Sequence, residues 1–261
     1  MNQYKEGKKI YSWIKYLYPI CRSITGEGVR TTLKFLKKEI NNLKIKSVAS
    51  GTKVFDWKVP YEWNIKSGFI ENDSGKKIVD FKKNNLHVVG YSTPINRSVS
   101  FSKLNKHLFS LPKQPNAIPY VTSYYNETWG FCISHNKRKN LNKKKKYRVV
   151  INSSLKRGFL NYAELVIKGK EDREVLLSTY ICHPSLANDN LSGPCVALAL
   201  AKWLKKKNRR YTYRIIFIPE TIGSIVYISR HLSHLKKKVI AGFVITCVGD
   251  NNNYSYLPSR N

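Results

Sequence analysis

Residues Tyr180–Gly193, YICHPSLANDNLSG, put an imidazole, a carboxylate, two side-chain amides and hydroxyls between two apolar runs, EVLLST and PCVALALAKWL. His183 and Asp189 are the members that could hold a metal ion. Glu220 follows a second apolar run in IFIPET, and Asp250 follows a third in CVGD. Imidazole and carboxylate are zinc ligands, and a non-ligating Glu can take a proton from water that the ion has made acidic. Zinc moves that water's pKa towards about 7, so a carboxylate becomes an adequate base. These residue types suit metal-assisted hydrolysis. The spacing alone also suits a plain helix start, with Asp189, Asn190 or Ser192 as cap and Pro194 in the first turn.

The order of elements decides whether the residues meet. From about Phe159, strand and helix alternate: EVLLSTYIC, GPCVALALAKWLKKK, YRIIFI, GSIVYISRHLSHL and VIAGFVITCV. Continuous apolar strands are buried on both faces, which predicts a parallel sheet covered by helices, a βαβαβ unit. Ligands bind outside the carboxyl ends of such strands. His183 and Asp189 stand past the first strand, Glu220 past the second and Asp250 past the third. The convergence favours His183, Asp189 and Glu220 as one site over three separate structural roles.

Two other regions precede this unit. In GEGVRTTLKFLKKEINNL, Val29, Leu33, Leu36, Ile40 and Leu43 recur at helical spacing, one face of an amphipathic helix. From roughly Gly51 to Leu155, short aromatic and β-branched runs are separated by Pro, Gly and Asn-Asp clusters, which predicts a mostly β module. FIENDSGKKIVDF reads as a hairpin turning at NDSG.

The five cysteines lack CxxC spacing and read as reduced thiols, not as a disulfide framework or a thiolate zinc site. No apolar window reaches the length of a membrane span, and the N-terminus lacks a signal-peptide pattern, so a cytoplasmic protein is expected. The G-x-S-x-G elbow, the P-loop and the dinucleotide fingerprint are absent. His231 and His234 form an i, i+3 pair on a Lys-flanked helix and read as surface residues. The net charge of +31 has two readings: coding drift on a solvated surface, since Lys, Asn, Ile and Tyr are all abundant, or a selected anionic glycan or nucleic-acid partner. Lys205–Arg210 and Lys236–Lys238 fall where helix ends should be, and cations there complement the helix dipole.

YPICRSITGEGVR, SGTKVFDWKVPYEWNI, NNLHVVGYSTP, IPYVTSYYNETWGFCIS, YICHPSLANDNLSGP, FIPETIGSIVY and TCVGD, in this order along nearly the whole chain, resemble the bacterial aminopeptidase-like proteins often found near polysaccharide-biosynthesis genes. These form a branch of the zinc aminopeptidase superfamily. The resemblance implies an α/β fold: a zinc-exopeptidase-like, mostly parallel sheet flanked by helices, with an inserted β-rich domain. On that reading 1–50 is the helical start of the core, 51–157 the insertion and 158–261 the rest of the core. It implies a hydrolase of peptide or amide bonds with His183 and Asp189 as zinc ligands and Glu220 as general base. Thr221 stands where the superfamily has a second ligating Glu, which implies one Zn²⁺ and not two. Asp250 lies beside the position of a further carboxylate ligand. Family members continue past YSYLPSR with a downstream His and a small helical domain, so a C-terminally shortened chain is expected. The alternative is a degenerate, non-catalytic protein that binds anionic glycan or nucleic acid through its basic surface.

Overall fold

The computed structural model describes residues 3–250, 253 and 255–259. In chain order the helices are α1 (Gln3–Leu17), α2 (Glu27–Glu39), α3 (Phe101–Asn105), α4 (His135–Lys139), α5 (Gly193–Lys205) and α6 (Ile222–Lys238). The strands are β1 (Lys44–Ala49), β2 (Lys53–Val54), β3 (Trp57–Lys58), β4 (Glu62–Glu71), β5 (Lys77–Asp80), β6 (Ile95–Ser100), β7 (Leu108–Phe109), β8 (Phe131–Cys132), β9 (Lys146–Lys156), β10 (Phe159–Ile167), β11 (Glu171–Tyr180), β12 (Tyr211–Ile218) and β13 (Val239–Val244). They divide into two units, one made of the residues up to 18, 29–47 and those from 161 onward, the other of 19–28 and 48–160.

The first unit is built on a five-stranded sheet in the order β1-β10-β12-β11-β13. β11 pairs in parallel with both β12 and β13, which are the three strands expected to be parallel. β10 runs antiparallel to β12, with Ala163 opposite Phe217 and Ile167 opposite Tyr213, so the sheet is mixed. Ile215, Ile216, Phe217 and Ile218 of β12 are all buried, as a strand covered on both faces requires. α5 packs on α1, β11 and β12, and α6 lies against β11, β12 and β13. The stripe Val29, Leu33, Leu36, Ile40 and Leu43 is buried throughout. α2 nevertheless stops at Glu39, because Asn42 takes the left-handed conformation (φ 72°) that turns the chain into β1. α6 instead runs through the lysine run, with Lys236, Lys237 and Lys238 in its last turn.

The second unit carries a four-stranded sheet, β5-β4-β9-β6, antiparallel at every pairing. NDSG turns the β4–β5 hairpin as expected: the Asn72 side chain accepts from the amides of Ser74 (3.2 Å) and Lys76 (2.9 Å), and Gly75 supplies the positive φ (75°). The core of this unit includes Ile70, Val79, Leu104, Phe131, Ile133, Val149 and Ile151. Residues 19–28 belong to this unit. Thr25 Oγ1 accepts from the Trp63 amide (3.1 Å) and bonds the Tyr91 hydroxyl (2.6 Å), and the Glu27 amide donates to Asn64 Oδ1 (2.8 Å). Among the described residues all five cysteines are free, and no helix is long and apolar enough to cross a membrane.

Candidate metal centre

β11 ends at Tyr180, and the Ile181 amide extends the pairing by donating to Ile218 O (3.0 Å). Cys182 and His183 follow and are buried. The chain then passes through Ser185 (φ 44°) into one wide turn of π geometry, Ala187–Ser192, in which Asp189 departs from helical angles (φ −100°, ψ 96°). Such single wide turns interrupt regular helix where a side chain must be re-aimed. The Asp189–Asn190 peptide bond is cis. This turn is fastened to the segment after β13: the amides of Val248 and Gly249 donate to Ser192 Oγ (3.0 Å) and Asn188 Oδ1 (2.8 Å).

Gly193 opens α5 where that segment comes closest. An added Cβ would lie 2.3 Å from Ile245 O and 2.6 Å from Thr179 Oγ1. Gly193→Ala is therefore expected to destabilise the protein by about 1–3 kcal/mol through overpacking. Urea denaturation of the variant beside wild type measures this, and an unchanged midpoint would mean that the Ile245 segment gives way freely.

On the neighbouring strand, β12 ends at Ile218, Pro219 intervenes, and the Glu220 amide donates to Cys182 Sγ (3.2 Å). Thr221 (φ 54°, ψ −78°) makes the sharp turn into α6 in a region sparsely populated by non-glycine residues. Glu220 is thereby held at the strand's carboxyl end, beside Cys182 and His183.

The three central predicted residues meet. His183 Nδ1 lies 3.2 Å from Asp189 Oδ1, and Nε2 lies 3.0 Å from Glu220 Oε2. The imidazole side chain is 7% exposed, whereas the two carboxylates are 52% and 47% exposed, so a buried ring is flanked by acids that solvent or substrate can reach. Asp189 Oδ1 also accepts from the Tyr180 hydroxyl (2.8 Å), which accepts from Thr246 Oγ1 (2.5 Å). Burial raises the Tyr180 phenol above its ordinary value, and the Asp189 carboxylate adds to the rise, so Tyr180 stays a protonated donor to Asp189. Its ring meets the His183 ring edge-on at 5.3 Å.

The donor set suits a borderline metal ion such as zinc. Ligand atoms of Cys182, His183 and Glu220 all lie within 4.8 Å of one another, and Asp189 stands on the opposite nitrogen of the same imidazole. Two ligands on a tetrahedral zinc with bonds of about 2.0 Å stand roughly 3.3 Å apart, close to the His183–Asp189 separation. Were an ion held at Nδ1, Nε2–H would donate to Glu220, the pattern by which a carboxylate orients a metal-binding histidine. Asp250 lies on the flank of the turn, where Oδ2 accepts from Asn188 Nδ2 (3.4 Å) and Oδ1 from the Asn253 amide (3.2 Å). Sequence reasoning missed two members. Cys182 reads from the sequence as one of five reduced thiols, and no role for Tyr180 is expected from the sequence.

Comparison with solved structures agrees with this architecture. A zinc aminopeptidase from Bacillus subtilis superposes with a TM-score of 0.62 at 16% identity, over 93% of this chain and 69% of that one, a likeness of fold. The protein therefore has a mixed α/β fold that resembles that of the zinc aminopeptidase. The chain belongs to the family described as a domain of unknown function (DUF4910), which it matches over residues 11–261. A Clostridium acetobutylicum protein named for polysaccharide biosynthesis and an aminopeptidase-like domain is 49% identical over 255 residues, 98% of this chain and 58% of that protein. A crystal structure from the same organism, named as a peptidase, superposes with a TM-score of 0.91 at 50% identity over 94% of this chain and 58% of that one. The chain thus spans 58% of the length of each of these two Clostridium proteins.

Proposed function

We propose that this chain carries the metal-binding part of a zinc-dependent aminopeptidase-like hydrolase of peptide or amide bonds. The observation that supports it is the single imidazole held between two carboxylates, Asp189 at 3.2 Å and Glu220 at 3.0 Å, at the carboxyl ends of adjacent parallel strands. His183 and Asp189 would hold one zinc ion, with Tyr180 and Thr246 fixing the Asp189 oxygen that faces the imidazole. When bound, zinc supplies Lewis acidity that polarises a carbonyl and acidifies water. Glu220 takes the proton of the attacking water at a carboxylate oxygen and returns it to the departing amine nitrogen, so that amide and water become acid and amine. Thr221 offers no carboxylate, which favours one ion. The name of the Clostridium relative brings polysaccharide biosynthesis into this reading, and the amide of an N-acylated sugar is cleaved by the same chemistry.

Metal analysis of the purified chain after equilibration with zinc tests the site. One equivalent is expected in wild type, with His183→Ala and Asp189→Ala each losing it. A chain that takes up no zinc, or variants that retain it fully, would remove this reading.

A further inference from the structure

Two motifs of the sequence, SGTKVFDWKVPYEW and SYYNETW, take no part in the metal centre. They meet in the β-rich unit around a cavity of about 390 Å³, within the range of small-ligand sites. Its wall is aromatic. Tyr91 is buried at its base, stacked on Trp63 (5.8 Å, 15°) and met edge-on by Tyr124 (5.3 Å, 88°). Tyr125 is pinned by its hydroxyl, which donates to Lys58 O (2.8 Å), and its ring lies 5.8 Å from that of Trp57. Tyr61, Tyr125 and Trp57 are 48%, 51% and 39% exposed. Large aromatics are seldom left open to water together without something to cover them.

The polar lining has the complementary property. Lys58, Asn126, Glu127 and Arg157 border the cavity. Among the described residues their side chains make no hydrogen bond or ion pair. The backbone is already committed: Gly51 N donates to Val59 O (2.8 Å), Val59 N to Thr52 O (3.0 Å), and Lys58 O accepts from Tyr125. Those backbone groups are therefore not open to a peptide docking as an added strand. Tyr124 meets Tyr91 edge-on and Trp57 is tilted against Tyr125, so neither pair forms a parallel slot that would sandwich a nucleic-acid base. Open ring faces beside free amide, acid and cationic side chains match a ligand with C–H faces and hydroxyls on one small ring, which is a sugar. Two cations against one acid at the rim select a sugar that also carries a carboxylate.

We propose that this cavity is a saccharide-binding site for a uronate-type residue, with Tyr61 and Tyr125 against its C–H faces, Lys58 and Arg157 on its carboxylate, and Asn126 and Glu127 on its hydroxyls. Calorimetric titration of the full chain with tri-galacturonate tests it, with maltotriose and tetra-glutamate as comparison probes. Wild type is expected to bind tri-galacturonate more tightly than either. Tyr125→Ala and Tyr61→Ala, both at rings that line the cavity, leave the charge of +31 unchanged and are expected to weaken binding by about tenfold each, the scale of one lost aromatic contact. Arg157→Ala is expected to abolish the preference over maltotriose. Tyr61→Ala, at an exposed position, gives the same readout if Tyr125→Ala fails to fold. Wild-type affinity in the aromatic variants, or equal affinity for tetra-glutamate, would overturn the proposal and assign the binding to the basic surface at large. Absence of tri-galacturonate binding overturns it outright.

Discussion

Glu220→Gln is expected to lower amide hydrolysis by about 10²–10⁴-fold, the usual contribution of a positioned general base, while leaving zinc content and thermal stability as in wild type. Gln has the same shape, and its carbonyl oxygen can still accept from His183 Nε2–H, so the 3.0 Å contact survives. It cannot take up a proton. The Glu220 side chain is half exposed and its backbone amide makes the bond to Cys182 Sγ, so the substitution removes basicity and little else. Turnover on aminoacyl anilides and on N-acylated sugars, measured beside metal content, separates two geometries. If Glu220→Gln keeps zinc and loses turnover, Glu220 is the base and the ion sits on the Asp189 side of the imidazole. If zinc is lost as well, Glu220 is a ligand together with Cys182 and His183, whose donor atoms already lie within 4.8 Å of its own. Unchanged turnover would remove Glu220 from the chemistry.

The edge of the sheet that carries His183, Asp189 and Glu220 was legible because it depends on coarse features. Continuous apolar strands alternating with helices admit few topologies, and parallel strands bring their carboxyl ends to one side. What was hidden depends on register and side-chain direction. Tyr180 and Thr246 meet across β11 and the segment after β13, a pairing that no local pattern encodes. The histidine pair of α6 shows the same limit: His231 lies against Tyr227 at 4.5 Å, while His234 bonds Glu174 at 3.0 Å, so equal spacing on one helix leads to different partners. Residues 19–28 fall within the expected helical start, 1–50, and their attachment through Thr25 to Trp63 and Tyr91, residues far along the chain, has no local sequence signal. Arg214 sits inside the apolar run YRIIFI and gave no warning that it is paired on both sides.

That arginine is expected to carry a large stability effect. Arg214, on β12, places NH1 2.8 Å from Glu164 Oε2 of β10, and Nε and NH2 2.6 and 2.9 Å from the two oxygens of Glu174 of β11. The two carboxylates and the guanidinium are at most 10% exposed. The Tyr227 hydroxyl (2.5 Å) and Lys46 (3.4 Å) also bind Glu164. Arg214→Met is expected to cost about 3–5 kcal/mol, because it strands two buried negative charges. Arg214→Met combined with Glu164→Gln and Glu174→Gln is expected to recover much of that loss, since no buried charge remains. The sign with pH follows from the carboxyls. Burial alone would raise them, but the Tyr227 and Arg214 bonds to Glu164, and the Arg214 and His234 bonds to Glu174, outweigh it, and both lie below the ordinary 4.5. In wild type their contribution is therefore complete above 4.5 and is lost as pH falls through the depressed folded values. In Arg214→Met the same carboxyls no longer have that partner and neutralise at higher pH, so the deficit relative to wild type should be widest near neutrality and shrink towards about pH 4. Urea denaturation of both proteins at the two pH values measures the difference. A deficit that stayed constant would mean that Arg214 acts through the packing of its methylenes between β10 and β11, and not through its charge.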